Sequence, residues 1–261
     1  MSRFVIREYT IKSCLLKKNV TAVLLSDLHN CVYGKENEKL IGAIRDIQPD
    51  LVLSAGDMLT AKKGRSFHVA LEFMKKLAKS NPVYYGLGNH EYRMKIYPEE
   101  YGTAYEDYMS QIRNSGIHVL DNESVYVDDL NIEITGLSIE RRYYKRFKKT
   151  KMEKEYIPSV VGNVKENAFH ILLAHNPEYY DEYDEWGADL VLSGHVHGGV
   201  MRLPLLGGVI SPKLVLFPKY DGGEFNGKNG TMILSRGLGV HTIPIRIFNP
   251  PELVVLHLEK N

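Results

Sequence analysis

The sequence predicts an α/β fold in which two packed sheets are flanked by helices. Three observations lead there. Seven short runs rich in Val, Leu and Ile recur along the chain: TAVLLS (21–26), DLVLSA (50–55), PVYYGL (82–87), HILLA (170–174), DLVLS (189–193), TMILS (231–235) and ELVVLHL (252–258). They are continuous rather than alternating, as strands buried on both faces are. Stretches of helical period separate the first three, and from Ile117 the pattern changes to short strand-like runs.

The elements follow in order. MSRFVIREYTIKS alternates apolar and polar residues like a strand and lacks the apolar centre of a signal peptide. After the first buried run, Leu40, Ile41, Ile44 and Ile47 share one helical face. Phe67, Ala70, Leu71, Met74, Leu77 and Ala78 form a second such face, and Tyr105, Tyr108, Met109 and Ile112 a third. IHVL, SVYVDD and LNIEITGL read as short antiparallel strands with a turn near Asp128–Asp129. Asn176-Pro177 is a cap and first-turn signal for a helix over EYYDEYDEW, with its aromatic stripe inward and its acidic residues on a solvated face. With no internal repeat, low-complexity tract or linker, residues 1–261 are expected to form a single domain.

A chain of 261 residues can bury a sizeable core without disulfides or structural metal. At 44% apolar and 25% charged, it has the composition of an ordinary soluble globular protein. A formal charge of +1 gives no global pull toward nucleic acid or an anionic membrane. Two cysteines, Cys14 and Cys31, are too few for a disulfide framework and fit a reducing compartment. The longest apolar runs, such as Val20 to Leu25, fall far short of the roughly 20 residues of a spanning helix. A cytoplasmic enzyme is the expectation, although a trimmed exported or anchored form would read the same.

The polar residues that follow the buried runs carry the chemistry. TAVLLS leads into Asp27-Leu28-His29, LVLSA into Gly56-Asp57, VYYGL into Gly88-Asn89-His90-Glu91, HILLA into His175, and LVLS into Gly194-His195-Val196-His197. In an α/β sheet the carboxyl edge of the strands is where ligands bind. Each element alone has a bland reading as a cap, a turn or a surface histidine. The strongest single element is GHVHGG, two histidines one residue apart followed by two glycines. Five such placements together point to a metal site. Asp27, His29, Asp57, Asn89, His175, His195 and His197 are too many ligands for one tetrahedral ion. Two divalent ions sharing a bridging carboxylate would use them, and such pairs, roughly 3.5–4 Å apart, clamp phosphoryl groups. The mixed imidazole, carboxylate and amide set suits Mn²⁺, Fe or Zn²⁺ without choosing among them.

SDLH, GDM, GNHE, AHNP and GHVHGG, with Asp57 30 residues after Asp27 and Asn89 32 after Asp57, resemble the signature of the calcineurin-like metallophosphoesterases. The tail SRGLGVHTIPIRIFNPPEL (235–253) further resembles the bacterial branch that includes the YkuE-like phosphohydrolases. The resemblance implies a four-layer αββα sandwich of two mixed sheets flanked by helices. It implies Asp27, His29 and His197 on one divalent ion, Asn89, His175 and His195 on the other, and Asp57 between them, with Mn²⁺ first among the candidate metals. His90 would contact the phosphoryl oxygens or protonate the leaving oxygen, and Glu91, where many relatives have Asp, would orient His90. The implied reaction is phosphoester or pyrophosphate hydrolysis by a hydroxide bridging the two ions. Val200 stands where that branch usually has Gln, and TGLSIERRYY replaces a G-x-D-D type sequence, so a relative's substrate does not carry over.

RRYYKRFKKTKMEKE (141–155), the core of a basic insert over about 141–157, carries eight Lys/Arg against two Glu, a local charge of +6. It reads either as a solvated loop or as a patch for an anionic substrate, a nucleotide or a lipid headgroup. Arg236 and Arg93, with Tyr92, are weaker substrate-binding candidates. His68, His118, His170, His241 and His257 fit no partner pattern and read as structural or surface groups. The expected partner is a phosphorylated small molecule, nucleotide or lipid-linked phosphate, with no specific nucleic acid. Two further readings stand beside the hydrolase: a UDP-linked lipid-precursor pyrophosphatase at a membrane surface, and an inactive metal-binding scaffold. The scaffold should lack ligands or the GNH histidine, and neither is missing here.

Overall fold

The computed structural model describes residues 3–145, 149–199, 201–203, 207–210, 218–240 and 246–261. Val200, His241 and part of the basic insert therefore lie outside the described residues. Two six-stranded sheets form the centre. The first runs β1 (Val5–Ser13), β14 (Glu252–Lys260), β2 (Val20–Leu25), β3 (Leu51–Ser54), β4 (Val83–Gly86), β5 (His118–Leu120). The second runs β12 (Gly223–Asn226), β13 (Thr231–Leu234), β9 (Leu190–Ser193), β8 (Phe169–Ala174), β7 (Ile132–Leu137), β6 (Glu123–Val127). Both are mixed: β2, β3 and β4 are parallel, as are β7, β8, β9 and β13, with antiparallel neighbours on their flanks. A short hairpin pairs β10 (Met201–Leu203) with β11 (Gly207–Ile210).

Adjacent residues on a strand face opposite ways, and the cores divide accordingly. Ala22 and Leu24 of β2 meet Phe169, Ile171 and Leu173 of β8 and Leu190 and Leu192 of β9 in the core between the sheets. Val23 and Leu25 point outward to a second core with α1 (Glu38–Ile47), α2 (His68–Ala78) and α5 (Ala104–Asn114). Leu172 and Val191 face a third core under α6 (Tyr156–Val161) and α7 (Tyr180–Trp186). Three stacked cores make four layers, αββα. The helical faces anticipated around residues 40–47, 67–78 and 105–112 are those of α1, α2 and α5, and two short helices, α3 (Asn89–Ile96) and α4 (Pro98–Tyr101), lie between. Among the described residues no helix is long and apolar enough to cross a membrane.

Two local expectations are corrected. The run IHVL is not part of the antiparallel group: its strand β5 pairs parallel with β4 at the edge of the first sheet, while β6 and β7 form the antiparallel hairpin. A three-residue strand carries no local signal of its partner's direction. The acidic residues of α7 are not uniformly solvated. The buried Asp184 carboxylate accepts from the backbone N–H groups of Lys228, Asn229 and Gly230, satisfying a turn that would otherwise bury orphaned donors.

Candidate metal centre

The carboxyl edges of the parallel strands in both sheets meet, and the polar residues anticipated there converge. Asp27 and His29 follow β2, Asp57 follows β3, Asn89 opens α3 after β4, His175 follows β8, and His195 and His197 follow β9. Asp27, His29, Asp57, His90, Glu91, His175 and His197 are buried; Asn89 and His195 are half-buried. Five of the seven ligand candidates hold left-handed backbone: Asp27 (φ 52°), His29 (48°), Asp57 (57°), His195 (73°) and His197 (52°). Each such residue costs about 1–2 kcal/mol. The alternation of His195 and His197 thus comes from two left-handed residues and not from an extended chain. The loops brace one another: Asp27 N–H donates to Gly56 O (3.0 Å), His29 N–H to Asp57 O (3.1 Å) and Asn30 N–H to Met58 O (3.0 Å). Gly194 is required by contact, since a Cβ there would lie 1.8 Å from Ser26 Oγ and 2.3 Å from Asp27 Oδ2.

Each carboxylate turns one oxygen chiefly to the protein and the other to the cluster, with the His195 N–H shared by both Asp27 oxygens (3.2 Å to Oδ1). Asp27 Oδ2 accepts from Ser26 Oγ (2.5 Å) and His195 N–H (3.0 Å), leaving Oδ1 at 3.3 Å from His197 Nε2, 3.7 Å from His29 Nε2 and 3.8 Å from His175 Nε2. Asp57 Oδ1 accepts from His90 N–H (2.8 Å), and Oδ2 lies 3.1 Å from His175 Nε2, 3.8 Å from His29 Nε2 and 3.9 Å from His90 Nε2. Two donor atoms on one ion at about 2.1 Å sit roughly 3.0–3.4 Å apart. His29 Nε2 to His197 Nε2 (3.1 Å), His197 to Asp27 and His175 to Asp57 meet that spacing. Asn89 Oδ1 is buried without a hydrogen bond, an acceptor for which a cation is the missing partner. The residues present fit a pair of divalent ions. Three overlapping groups have ligand atoms close enough for a shared ion: Asp27, His29 and His197; Asp57, His175 and His195; and His29, Asp57 and His90.

Hydrogen bonds at Nδ1 separate ligands from donors. His29 Nδ1 faces Leu59 O (3.3 Å) and His175 Nδ1 faces Ala55 O (2.7 Å). A carbonyl can only accept, so Nδ1 carries the proton and Nε2 keeps a lone pair for a metal. His90 is the reverse. Its Nδ1 accepts from Ala61 N–H (2.8 Å), so Nε2 carries the proton and points toward the cluster as a donor.

The charges are mutually balanced. Burial would raise Asp57, but His175, His90 and His29 hold its carboxyl well below the usual range. Burial also opposes a low Asp27, yet His197, His175 and His29 lower it. Burial would lower His175; the Asp57 and Asp27 carboxylates outweigh it and push the imidazole up to about 10. His29 is likewise raised, against its burial, by Asp27 and Asp57.

The other anticipated site residues fall elsewhere. Glu91, expected to orient His90, instead ties two loops together. Its Oε2 accepts from Asp57 N–H (2.9 Å) and Gly88 N–H (3.0 Å), and its Oε1 from Met58 N–H (2.9 Å) and Tyr85 OH (2.7 Å). Arg93 pairs at the surface with Glu100 (3.4 Å). Arg236 Nε lies 3.1 Å from Glu252 Oε2, out of line for a hydrogen bond, and its chain packs beneath Gly198. Much of the basic insert's charge is spent locally: Lys149 pairs with Glu182, Lys154 with Glu185, Lys151 with Glu153 and Arg142 with Glu140.

Three residues at the site escaped the sequence reading. The Tyr144 ring stands edge-on to His195, centroids 5.3 Å apart. Asn249 Nδ2 donates to His197 O and Gly199 O, both at 2.7 Å. Arg246 donates to Arg236 O (2.8 Å) and approaches His197 O (3.4 Å). Gly198 (φ 68°) and Gly199 (φ 84°) then turn the chain away. Tyr144 was hidden among the aromatics of the basic insert, whereas Arg246 and Asn249 lie in the distinctive tail segment.

Residues 20–199 match the calcineurin-like phosphoesterase family. The chain is 27% identical to the uncharacterized metallophosphoesterase YkuE of Bacillus subtilis over 263 residues, covering 97% of this chain and 84% of YkuE. It is 23% identical to the UDP-2,3-diacylglucosamine pyrophosphatase LpxG of Chlamydia muridarum, covering 90% of this chain and 82% of LpxG. One solved crystal structure shares the fold with a TM-score of 0.50 at 13% identity, covering 82% of this chain and 90% of its own.

Proposed function

Since the chain belongs to the calcineurin-like phosphoesterase family, we propose that it is a dinuclear metal-dependent hydrolase of phosphoester or pyrophosphate bonds. Asp27, His29 and His197 would hold one ion, Asn89, His175 and His195 the other, and Asp57 would stand between them. The observation that carries this reading is Asp57 Oδ2, which faces His29 from one set and His175 from the other while its second oxygen is tied to the His90 backbone. Bound divalent ions supply Lewis-acid charge and lower the pKa of an attacking water. Mn²⁺ is our first candidate. The protein supplies the rest. Ala61 fixes the His90 tautomer, so Nε2–H donates to a phosphoryl or leaving oxygen as negative charge builds there. Glu91 holds the Asp57 and Gly88 segments in register. Tyr144 covers the His195 side.

The test is turnover of bis-p-nitrophenyl phosphate with added Mn²⁺. Asp57→Asn should lose metal and activity together, and His90→Ala should lose activity with metal retained. Normal turnover by Asp57→Asn would sink the assignment. A pyrophosphatase acting on a nucleotide-linked lipid precursor is a narrower form of the same reading, supported by the likeness to LpxG. Faster hydrolysis of a UDP-linked pyrophosphate than of the diester would favour it.

A further inference from the structure

The segment that follows β13 packs against the Asp27 loop. Leu238 N–H donates to Ser26 O (3.0 Å) and Gly239 N–H to Asp27 O (2.6 Å). Gly237, at φ 70°, lies so close that a Cβ on it would stand 2.7 Å from Asp27 Cβ, and one on Gly239 would stand 2.3 Å from Leu28 O. The same stretch of chain borders the His197 turn. Gly198 nests there, since a Cβ on it would meet Asn249 Oδ1 at 2.6 Å and Arg236 Cγ at 2.9 Å. Asp27 and His197 both hold left-handed backbone, which persists only under restraint from outside. Each is therefore backed by chain from beyond residue 235.

Arg246 joins these two contacts. Its Nε donates to Gly239 O (3.1 Å), and its Nη2 donates to Arg236 O (2.8 Å), to Gly239 O and, at 3.3 Å, to Gly237 O. Toward the turn, Nη1 reaches His197 O at 3.4 Å and Nη2 lies 3.4 Å from His197 Nδ1, both longer than the bonds to Arg236 and Gly239. Carbonyls of one short loop that converge on a point repel unless a donor stands among them. A planar guanidinium, always charged and carrying five N–H groups, meets several at once. Burial pushes the Arg246 pKa down, and the Asp27 carboxylate is first among the nearby charges that hold it up. Its short bonds all go to main-chain carbonyls, so this arginine fastens chain segments to one another.

The ligands of the other ion are fastened elsewhere. Glu91 holds Gly88, next to Asn89. His175 follows β8 with Nδ1 on Ala55 O (2.7 Å) and its own carbonyl accepting from Gly194 N–H (3.1 Å). We propose that Arg246 is a positioning residue of the metal centre, a clasp that fixes Asp27 and His197 and so governs the ion they share with His29 more than the neighbouring one. The inference rests on the dinuclear reading for the two ions and on the clasp's hydrogen bonds for their unequal dependence on it.

Arg246→Met nearly keeps the reach of the side chain and removes every donor. EDTA-stripped wild type should take up two Mn²⁺ per chain in titration calorimetry, and its low-temperature EPR spectrum should be that of a spin-coupled pair. The variant should hold one ion with near wild-type affinity and the other about tenfold or more weakly, as when the groups behind a metal ligand are lost. At subsaturating Mn²⁺ its spectrum should show the resolved hyperfine lines of an isolated ion. Added to His29→Ala, whose remaining tight ion is the second, Arg246→Met should change affinity by less than about twofold. Added to Asn89→Ala, whose remaining tight ion is the first, it should cost about tenfold. Arg246→Lys keeps the charge and part of the donors, should lie between, and carries the test if Arg246→Met does not fold. Two ions bound as tightly as in wild type, or both weakened alike, overturn the proposal. A wild type that binds a single ion would instead count against the dinuclear reading, and the clasp is then refuted if the variant binds that ion as tightly.

Discussion

Replacing Glu91 by Gln distinguishes a carboxylate that pins loops from one that orients His90. Glu91 is wholly buried, and each oxygen accepts two hydrogen bonds of 2.7–3.0 Å. Glutamine keeps one accepting oxygen and turns an NH₂ toward the other pair; set against Met58 N–H and Tyr85 OH, whose oxygen can accept, it leaves one donor without an acceptor, and set against Asp57 N–H and Gly88 N–H it leaves two. A buried donor so stranded costs about 1–3 kcal/mol. Part of this is offset because burial and the Asp57 charge disfavour ionised Glu91, raising its pKa. A net loss of about 2 kcal/mol is expected, which for a chain of this size lowers Tm by roughly 4–8 °C. Two of the donors, Asp57 N–H and Gly88 N–H, flank the ligands Asp57 and Asn89, so Mn²⁺ affinity should fall as well. Scanning calorimetry with EDTA reads the first effect and Mn²⁺ titration calorimetry the second. An unchanged Tm and Mn²⁺ affinity beside a drop in kcat of about a hundredfold would refute the pinning role and return Glu91 to His90.

Three further outcomes are expected. A cation reaching His175 Nε2 must displace the proton that the neighbouring carboxylates hold there up to about pH 10, so apparent Mn²⁺ affinity should rise about tenfold per pH unit between pH 7 and 9. By the same sign, without metal His175 stabilises fully below its unfolded value near 6.5 and loses that contribution as pH rises through about 10; Asp27 and Asp57, both lowered, contribute above about 3.9 and lose it in acid. A pH-independent Mn²⁺ affinity would contradict this balance. Tyr144→Phe keeps the ring on His195 and removes the hydroxyl, so metal affinity should hold while kcat/KM falls roughly 2–10-fold; identical kinetics would show that the hydroxyl meets no substrate. Gly86→Ala places a Cβ 2.8 Å from Leu173 Cβ, across the two sheets and two residues before His175, and should cost about 1–3 kcal/mol. Adding Leu173→Gly, which removes the opposing Cβ, should restore Mn²⁺ affinity if sheet separation is the cause, and affinity unchanged in Gly86→Ala would break the link.

What was legible in the sequence was whatever a buried strand advertises. A continuous apolar run that stops at Asp or His marks both the strand and the edge where it ends, which is why Asp27, Asp57, Asn89, His175 and His195 could be gathered without coordinates. What was not legible depends on contacts between distant segments. Glu91 reaches backbone groups 33 and 34 residues earlier, and Asn249 reaches the turn at His197 from 52 residues later. Left-handed backbone at Asp27, His29 and Asp57 leaves no mark in composition, because the strain is held by hydrogen bonds between the loops. The same division explains why the site sits where it does. The first sheet contributes both carboxylates with His29 and Asn89, and the second contributes only imidazoles, His175, His195 and His197. Neither sheet holds a complete ligand set, so the arrangement exists only while the core between them, Leu24 and Leu53 against Leu173 and Leu192, keeps the two edges together. Packing of that apolar interface is therefore as much a determinant of metal affinity as the ligands themselves, and the pair Gly86 and Leu173 is where it can be altered without touching one.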